Sequence, residues 1–376
     1  MVVNWSVIRK LMVAAFLLFT SIICLVDFLP RHMEKGYTTI AAQIIKPRAD
    51  DREDIFIPKF KRYHDSQTEK ERLKSEQNLG RMDLIRKANS DPLPQRIFKG
   101  NAKEMCSGKK GEEFCIPKFK QLETRIRVAN NYKLMTCIIQ KSMSTVMTAI
   151  MCYLFNENEF TAAGREFARE CTAVRFCQGK NEFPQVLGVR KGYNISTKAE
   201  TKKWKFTMIT RDPVDRFLSG YVDKCIRYPH GGGYCNGCHR NMTCFILSEY
   251  DRIKSQLSRG HLFRSFEDRH FFPQNWRCDL HKEYSNYRFL RYSSDPSETL
   301  LDDLIEILHE QNVPDSSIQF IQNQLTLSRT VHSTVQSEAR TFYEQRLRSS
   351  PFLLEYIVRI FYYDYTLLNY PFPEGF

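Results

Sequence analysis

The sequence contains little glycine and proline, with 16 and 15 residues of these in a chain of 376. Collagen-like and wholly disordered chains need far more of both, so the composition excludes these classes. Hydrophobic residues make up 42% of the chain and aromatic residues 13%, which is enough for a buried core. At about 150 residues per domain, the length allows one large domain with extensions or two domains of ordinary size.

Acidic residues are fewer than basic ones, 43 against 56, which gives a formal net charge of +13 at pH 7. This excess predicts an anionic partner: nucleic acid, acidic lipid, or a phosphorylated or acidic small molecule or polymer. The sequence contains no known nucleic-acid-binding motif, and a hydrophobic run near its start predicts a membrane protein instead. We therefore expect no nucleic-acid partner.

One long hydrophobic run, LMVAAFLLFTSIICLV, occupies Leu11–Val26. It is slightly shorter than the roughly 17–25 residues of a membrane-spanning helix, but the early secretory membranes are thinner than average. A cleaved signal peptide is the alternative, but no small-residue cleavage site follows the run, so we expect an uncleaved anchor. Basic residues before the run predict a type II orientation, with residues 1–10 in the cytosol, 11–29 in the membrane and the remainder in the lumen.

Residues 30–125 are polar and rich in charges of both signs, without a sustained apolar stripe. We expect a stem here, with a short helix around Gln67–Lys87, which holds a folded domain away from the membrane. Near Asn130 the pattern changes, because apolar runs of strand length begin to alternate with helical patterns. The folded domain is therefore predicted to span residues 126–376.

The alternation after Asn130 is typical of βαβ units and a parallel sheet. A buried strand is predicted at Lys133–Ile139, followed by the polar turn QKSMST and the helix VMTAIMCYLFN. A second buried strand is predicted at Trp204–Thr210, before a helix with Asp212 as N-cap and Pro213 at its first position. Two later segments have apolar residues at helical spacing, Asp295–Asn312 and Ser350–Tyr370.

The first turn combines one ammonium group, from Lys141, with the hydroxyls of Ser142, Ser144 and Thr145. As a turn residue, Lys141 is expected to be exposed. Free backbone N–H groups at the start of the following helix add to these donors, so the turn favours an anion such as phosphate. It lacks the G-x-x-x-x-G-K spacing of a Walker A loop. From the residues alone, an ordinary polar turn remains an alternative.

The second turn carries Arg211, and Ser219 follows it by eight residues, which is about two helical turns. An arginine at the mouth of the turn and a hydroxyl on the helix can hold a second phosphate. Alternatively, Arg211 pairs with Asp212 or Asp215, and the Ser219-Gly220 pair only permits close packing.

The two units, in this order and each after a buried strand, resemble the sulfotransferases that use 3′-phosphoadenosine 5′-phosphosulfate (PAPS). FTMITRDPVDRFLSGYVDKC (Phe206–Cys225) resembles the 3′-phosphate motif of that family, and the first turn resembles its 5′-phosphosulfate loop. The Golgi enzymes usually have glycine near Met143, and this chain does not. HFFPQNWRC (His270–Cys278) and FYYDYTLLNYPF (Phe361–Phe372) extend the similarity to the membrane-anchored carbohydrate sulfotransferases of the chondroitin and HNK-type group. The resemblance covers roughly residues 130–372.

The resemblance implies a three-layer, P-loop-like α/β fold with a central parallel sheet, and PAPS as the donor without a metal. By position, Lys141 would contact the 5′-phosphosulfate bridge with Ser142, Ser144 and Thr145 around it. Arg211 and Ser219 would hold the 3′-phosphate. The acceptor hydroxyl needs a general base. The candidates for this role are His270, with Glu267 and Asp268 just before it, and a second polar segment at His332-Ser333-Thr334. For His270, a packed position between aromatic residues is the alternative.

The twelve cysteines predict an oxidising lumen or a metal. Four of them, Cys225, Cys235, Cys238 and Cys244, lie within 20 residues, and the C-x-x-C pair beside histidines is compatible with zinc. In a lumenal chain disulfides are the better interpretation, with a connectivity that the sequence leaves open. Two glycosylation acceptors, Asn194 and Asn241, agree with a lumenal domain.

These features together predict a single-pass Golgi enzyme that transfers a sulfuryl group from PAPS to a glycan hydroxyl. The basic excess suits an acidic acceptor, and the resemblance favours chondroitin, at the 4-O position of N-acetylgalactosamine. One alternative is a non-catalytic lumenal glycan-binding protein that keeps the fold. Another is a Golgi glycosyltransferase, which normally has a metal-binding Asp-x-Asp motif that the lumenal sequence lacks.

Overall fold

The computed structural model describes residues 81–122, 124–170, 175–227, 235–260, 268–293, 300–327 and 337–376. The predicted cytosolic tail, the membrane segment and the first half of the stem lie outside these ranges. Within them, none of the helices has the length and hydrophobicity needed to cross a bilayer. The anchor at residues 11–29 therefore stays a prediction.

The described strands form one five-stranded sheet in the order β3-β1-β2-β4-β5. Their bounds are β1 Ile126–Ala129, β2 Leu134–Cys137, β3 Glu182–Phe183, β4 Lys205–Arg211 and β5 Tyr287–Tyr292. The strands β2, β4 and β5 run parallel, which confirms the predicted parallel centre. β1 is antiparallel to both β2 and β3, which the sequence reading did not predict. Only a short 3-10 turn separates β1 from β2, and a parallel pair needs a much longer crossover.

Fourteen helices of the described residues pack around the sheet, and we number them α1 to α14 in chain order. They are Ala102–Cys106, Gly108–Phe114, Ser144–Phe155, Glu157–Ala162, Val186–Gly192, Lys198–Lys203, Pro213–Tyr221, Met242–Ser258, Asp268–Phe271, Leu280–Glu283, Leu300–Glu310, Asp315–Leu327, Glu338–Arg348 and Pro351–Leu367. The predicted helices after both turns, α3 and α7, are confirmed, as are α11 and α14 near the C-terminus. Residues 81–88 are also helical.

Hydrophobic side chains cover both faces of the sheet. Leu134 and Ile209 pack on one face with α3, α4, α11 and α12. Met135 and Met208 pack on the other with α5 and the start of α10. A third cluster joins α7, α8, α13 and α14. The chain is therefore a layered α/β domain, in which a sheet that is buried on both faces carries turns at its carboxyl edge.

The described part of the predicted stem belongs to the folded domain. Met82, Ile85 and Met105 are buried in the cluster that contains α7 and α14. The main chain of this segment is also tied to the domain, since Ile116 donates to the carbonyl of Arg359 at 2.8 Å. The folded domain thus begins N-terminal to the predicted boundary at residue 126. Its apolar residues here are scattered among charged ones, so they form no stripe in the sequence.

Disulfides pair ten of the cysteines, which confirms that interpretation over zinc for the C-x-x-C segment. The pairs are Cys106–Cys115, Cys137–Cys278, Cys152–Cys177, Cys225–Cys235 and Cys238–Cys244. Cys137 is the last residue of β2, so its bond to Cys278 fixes the start of the first turn to the segment before α10.

Candidate functional site

The two predicted turns lie side by side at one edge of the sheet. β2 and β4 are parallel neighbours, with Cys137 opposite Met208, so the turns at their carboxyl ends meet at the same edge. Arg211, the last residue of β4, donates from Nη1 to the main-chain oxygen of Lys141 at 3.1 Å. The fold thereby joins two segments that lie 70 positions apart in the sequence.

The first turn has a backbone conformation that usually requires glycine. Lys141 and Met143 have φ angles of 69° and 57°, in the left-handed region. Met143 is the N-cap of α3, and its side chain has no oxygen that can accept from the first turn of the helix. The N–H groups at the start of α3, including those of Ser144 and Thr145, are therefore suited to an anion. Met143 thus adopts the left-handed conformation that glycine usually supplies, although the sequence has no glycine here.

The second turn begins α7 as the sequence predicted. The side chain of Asp212 accepts from the N–H of Asp215 at 2.9 Å, and Pro213 occupies the first helical position. Burial raises the pKa of the Asp212 carboxyl, although the hydrogen bond from the Asp215 N–H opposes this. Asp212 is therefore the cap that fixes where α7 starts and where Arg211 leaves the sheet.

Within the described part of the chain, Arg211 forms no ion pair with Asp212 or Asp215, although the charges of both carboxylates favour its ionised form. Asp215 binds other arginines, at 2.9 Å to Arg340 and 3.3 Å to Arg348. The guanidinium of Arg211 instead lies 4.9 Å from the ring centre of Tyr292 and donates to the carbonyl of Lys141. The packing part of the alternative holds, because a Cβ on Gly220 would come within 2.9 Å of the Phe271 ring.

Several buried donors around the turns have no hydrogen-bond partner among the described residues. They are Nε and Nη2 of Arg211, Nη1 and Nη2 of Arg216, and the hydroxyl of Ser142. These three residues are 3%, 0% and 1% exposed. Desolvation lowers the pKa of Arg211, and it lowers that of Arg216 to about 10. Buried polar groups that lack a hydrogen-bond partner are costly, so the site has the donors and the positive charge that a bound phosphate or sulfate would satisfy.

The side chain of Lys141 is buried, whereas the sequence predicted an exposed lysine. Its ammonium group binds the carboxylate of Asp223, and the two side chains are 7% and 1% exposed. Lys224 binds the same carboxylate oxygen at 2.9 Å. Burial lowers the pKa of Lys141 to about 8, since desolvation outweighs the attraction of Asp223 and since Lys224 and Arg211 add repulsion. Asp223 lies in a π-helical turn, Val222–Ile226, directly after α7.

Two arginines that form hydrogen bonds to Gln140 in the first turn were not predicted from the sequence. Arg216 donates from Nε to the carbonyl oxygen of Gln140 at 3.2 Å, and Arg277 donates from Nη1 to the Gln140 side chain at 3.3 Å. Arg216 follows Arg211 by five positions within the motif that the sequence analysis singled out, so it was visible there. The role of Arg277 depends on the fold alone.

The remaining predicted site residues are Ser219 and the candidates for the general base. Ser219 is 6% exposed on α7, and His270 is 7% exposed in α9. The carbonyl oxygen of His270 lies 3.4 Å from the position of a Cβ at Gly220, so α9 packs directly against α7 at Gly220. Glu267, the side chain of Asp268 and residues 332–334 lie outside the described residues. A catalytic role for His270 stays a prediction.

Comparisons with known proteins agree with this geometry. Residues 124–371 match the model of the sulfotransferase family. Three similar proteins are from Caenorhabditis elegans. An uncharacterized protein is 48% identical over 315 residues, or 83% of this chain and 87% of the relative. The putative sulfotransferase vep-2 is 44% identical over 268 residues, or 70% and 81%. The carbohydrate sulfotransferase chst-1 is 30% identical over 262 residues, or 68% and 78%.

No solved structure matches the chain significantly. The mixed α/β fold, with parallel strands at the centre of its sheet, fits the family that the sequence comparison identifies. The family match covers both turns and well over half of the chain, and the relatives are matched over most of their length. The chain therefore belongs to the sulfotransferase family.

Proposed function

We propose that this protein transfers the sulfuryl group of PAPS to a hydroxyl group of a carbohydrate. The observation that carries the proposal is the group of buried, unpartnered donors on Arg211, Arg216 and Ser142 beside the uncapped start of α3. PAPS presents a phosphosulfate group and a separate phosphate group, and the two turns offer two adjoining sets of cations and donors.

In this proposal Lys141, Ser142, Ser144 and Thr145 hold the 5′-phosphosulfate group, and Arg211 and Ser219 hold the 3′-phosphate. The acceptor oxygen attacks sulfur in line, and the bond from sulfur to the bridging oxygen breaks. The released nucleotide is 3′,5′-phosphoadenosine (PAP), and the proton of the acceptor hydroxyl passes to a base, for which His270 is the candidate. The ammonium of Lys141 and the N–H groups of α3 stabilise the negative charge that develops on the bridging oxygen.

Similarity to a carbohydrate sulfotransferase supports a glycan acceptor. We propose chondroitin more specifically, at the 4-O position of N-acetylgalactosamine, because a net charge of +13 suits a polyanion better than a neutral glycan. Golgi localisation as a type II membrane protein belongs to the same proposal. It is supported by the hydrophobic run at Leu11–Val26 and by disulfides, which persist in oxidising compartments.

The glycan-binding alternative rested on the missing glycine near Met143. Because Met143 itself adopts the left-handed conformation that glycine would supply, the missing glycine no longer supports that alternative. We therefore prefer an active enzyme, which the similarity to sulfotransferases supports, to a binding protein that keeps only the fold.

A titration of the full-length chain with PAP tests the donor site. Arg211→Ala should weaken the affinity by about tenfold to hundredfold, since a hydrogen bond to a charged group contributes about 1.5–3 kcal/mol. Arg288→Ala is the matched control. Arg288 lies near the start of β5, whereas Arg211 lies opposite Tyr292 at its end. Arg288 pairs with Glu306 and Glu310. Equal PAP affinity in the Arg211 variant and the wild type would contradict the assignment of the site.

A further inference from the structure

We propose that Gln274 and Asp364 form a positioning relay that fixes Arg211 for donor binding. Asp364 holds the segment at Gln274, and Gln274 holds the main chain of Arg211. Both residues belong to segments that the sequence analysis singled out without giving them a role, HFFPQNWRC and FYYDYTLLNYPF. The inference rests on the proposed function of the donor site and adds two residues that do not touch the donor.

The side-chain amide of Gln274 binds both main-chain polar groups of Arg211. Its Oε1 accepts from the Arg211 N–H at 3.0 Å, and its Nε2 donates to the Arg211 carbonyl at 2.8 Å. β4 continues for three residues beyond its last pair with β2, Cys137 with Met208. The Gln274 amide thus forms, at the end of β4, the pair of hydrogen bonds that the main chain of a neighbouring strand forms elsewhere in the sheet. Gln274 is fully buried, so water does not compete for these bonds.

The carboxylate of Asp364 binds the segment that carries Gln274. One oxygen accepts from the N–H of Gln274 at 2.8 Å. The other accepts from the N–H of Asn275 at 2.8 Å and from its side chain at 2.7 Å. Asp364 lies in α14 and is 0% exposed. The relay therefore connects the C-terminal helix to Arg211.

The electrostatics of Asp364 agree with this role. Burial raises the pKa of the Asp364 carboxyl, while Arg216 and the donors at Gln274 and Asn275 favour its ionised form. Arg216 in turn holds the first turn at Gln140. A buried carboxylate is costly. Asp364 is stabilised by the charge of Arg216, which binds the first turn, and its hydrogen bonds fix Gln274, which binds Arg211 in the second turn.

Positioning is needed because the guanidinium of Arg211 is only lightly held. Its described contacts are one hydrogen bond to the carbonyl of Lys141 and the ring of Tyr292. Gln274 fixes the N–H and the carbonyl of Arg211, so Arg211 loses less conformational freedom when the donor binds. A smaller entropy loss on binding gives a higher affinity. A change at Gln274 should therefore weaken donor binding through Arg211.

The test compares PAP affinity and steady-state kinetics in the full-length wild type, Gln274→Met and Gln274→Glu. Gln274→Met keeps the length and loses both hydrogen bonds, so we expect about a tenfold loss of PAP affinity. The KM for PAPS should rise in the same proportion, and the KM for the acceptor should stay unchanged. Gln274→Glu keeps the size and the acceptor for the Arg211 N–H but sets a carboxylate oxygen against the Arg211 carbonyl, so we expect a loss at least as large, about tenfold or more. It provides the measurement if the methionine variant fails to fold.

Asn181→Leu is the matched control for a merely structural role. Asn181 is also 0% exposed, and its amide donates to the carbonyls of Val128 and Met151, which lie outside the two turns. It should lose stability while the folded protein binds PAP as the wild type does. If folded Gln274 variants bind PAP within twofold of the wild type, the relay is overturned while the proposed function stands. If the wild type itself does not bind PAP, the proposed function fails and the relay fails with it.

The double variant separates action through Arg211 from a direct effect. In an Arg211→Ala background, Gln274→Met should cause no further loss of PAP affinity, because the residue that it positions has lost its guanidinium. Full additivity of the two losses would show that Gln274 acts on the donor independently of Arg211, which would also overturn the relay.

Discussion

Replacement of Lys141 by methionine should remove activity without a loss of stability. The pKa of Lys141 is lowered from the ordinary 10.5 to about 8, chiefly because the side chain is desolvated. One pKa unit corresponds to about 1.4 kcal/mol, so the charged lysine costs the folded state about 3 kcal/mol relative to the unfolded chain. Methionine fills a similar volume without that cost, and Asp223 keeps Lys224 as a partner at 2.9 Å.

The effect has a defined pH dependence. Below pH 8 Lys141 is charged in both states, and the full cost is present. Between pH 8 and 10.5 the unfolded chain keeps the proton that the folded protein releases, so the stability of the wild type rises with pH. Lys141→Met should therefore be more stable than the wild type at pH 7, by up to about 3 kcal/mol, and the difference should shrink above pH 8.

Urea unfolding at pH 7 and at pH 9.5, together with a transfer assay, measures both effects. Lys180→Met is the control, because Lys180 is half exposed in a surface ion pair with Glu159. It should leave stability and transfer within error of the wild type. The reasoning would be refuted if Lys141→Met were less stable than the wild type at pH 7 by more than 1 kcal/mol, since the pair with Asp223 would then stabilise the fold. Undiminished transfer by the folded variant would remove Lys141 from the donor site.

Two further predictions concern the acceptor. His270→Asn should lower kcat by about a hundredfold or more, as loss of a general base does, with PAP affinity unchanged; near-normal kcat in a folded variant would make His270 a packing residue. The KM for desulfated chondroitin should rise steeply with salt, because the Debye length falls from about 10 Å at 0.1 M to about 3 Å at 1 M. A KM that stays flat, with a neutral glycan as the better substrate, would contradict the chondroitin assignment and leave sulfotransfer intact.

The sequence predicted the two central strand-turn-helix units because their signals are local. β2 and β4 are short segments rich in apolar residues and threonine, and Asp212 with Pro213 marks the start of α7. The strand β1 and the edge strand β3 were missed because four and two residues carry too little pattern to identify. The packing of residues 81–122 was missed because their few apolar residues follow no helical or strand period.

The composition of the site was predictable from the motifs, but its electrostatics were not. Lys141 and Arg211 were named from their turns, and the fold brings both turns to one edge. The burial of Lys141 depends on Asp223, which lies 82 positions away. The positioning relay to Arg211 depends on Gln274, 63 positions away, and on Asp364 in the last helix. Contacts of this kind follow from the tertiary structure, and no local pattern of a single sequence reveals them.

Transfer of labelled sulfate is the most direct test of the central claim. The full-length chain is incubated with sulfur-labelled PAPS and desulfated chondroitin, with neutral N-linked and O-linked glycans in parallel. Label should appear in a glycan, with chondroitin as the best acceptor. It should be lost in Lys141→Ala, reduced in Arg211→Ala at limiting PAPS, and kept in Arg288→Ala. A wild-type protein that binds PAP but labels no glycan in the panel would contradict the claim that this chain is a carbohydrate sulfotransferase.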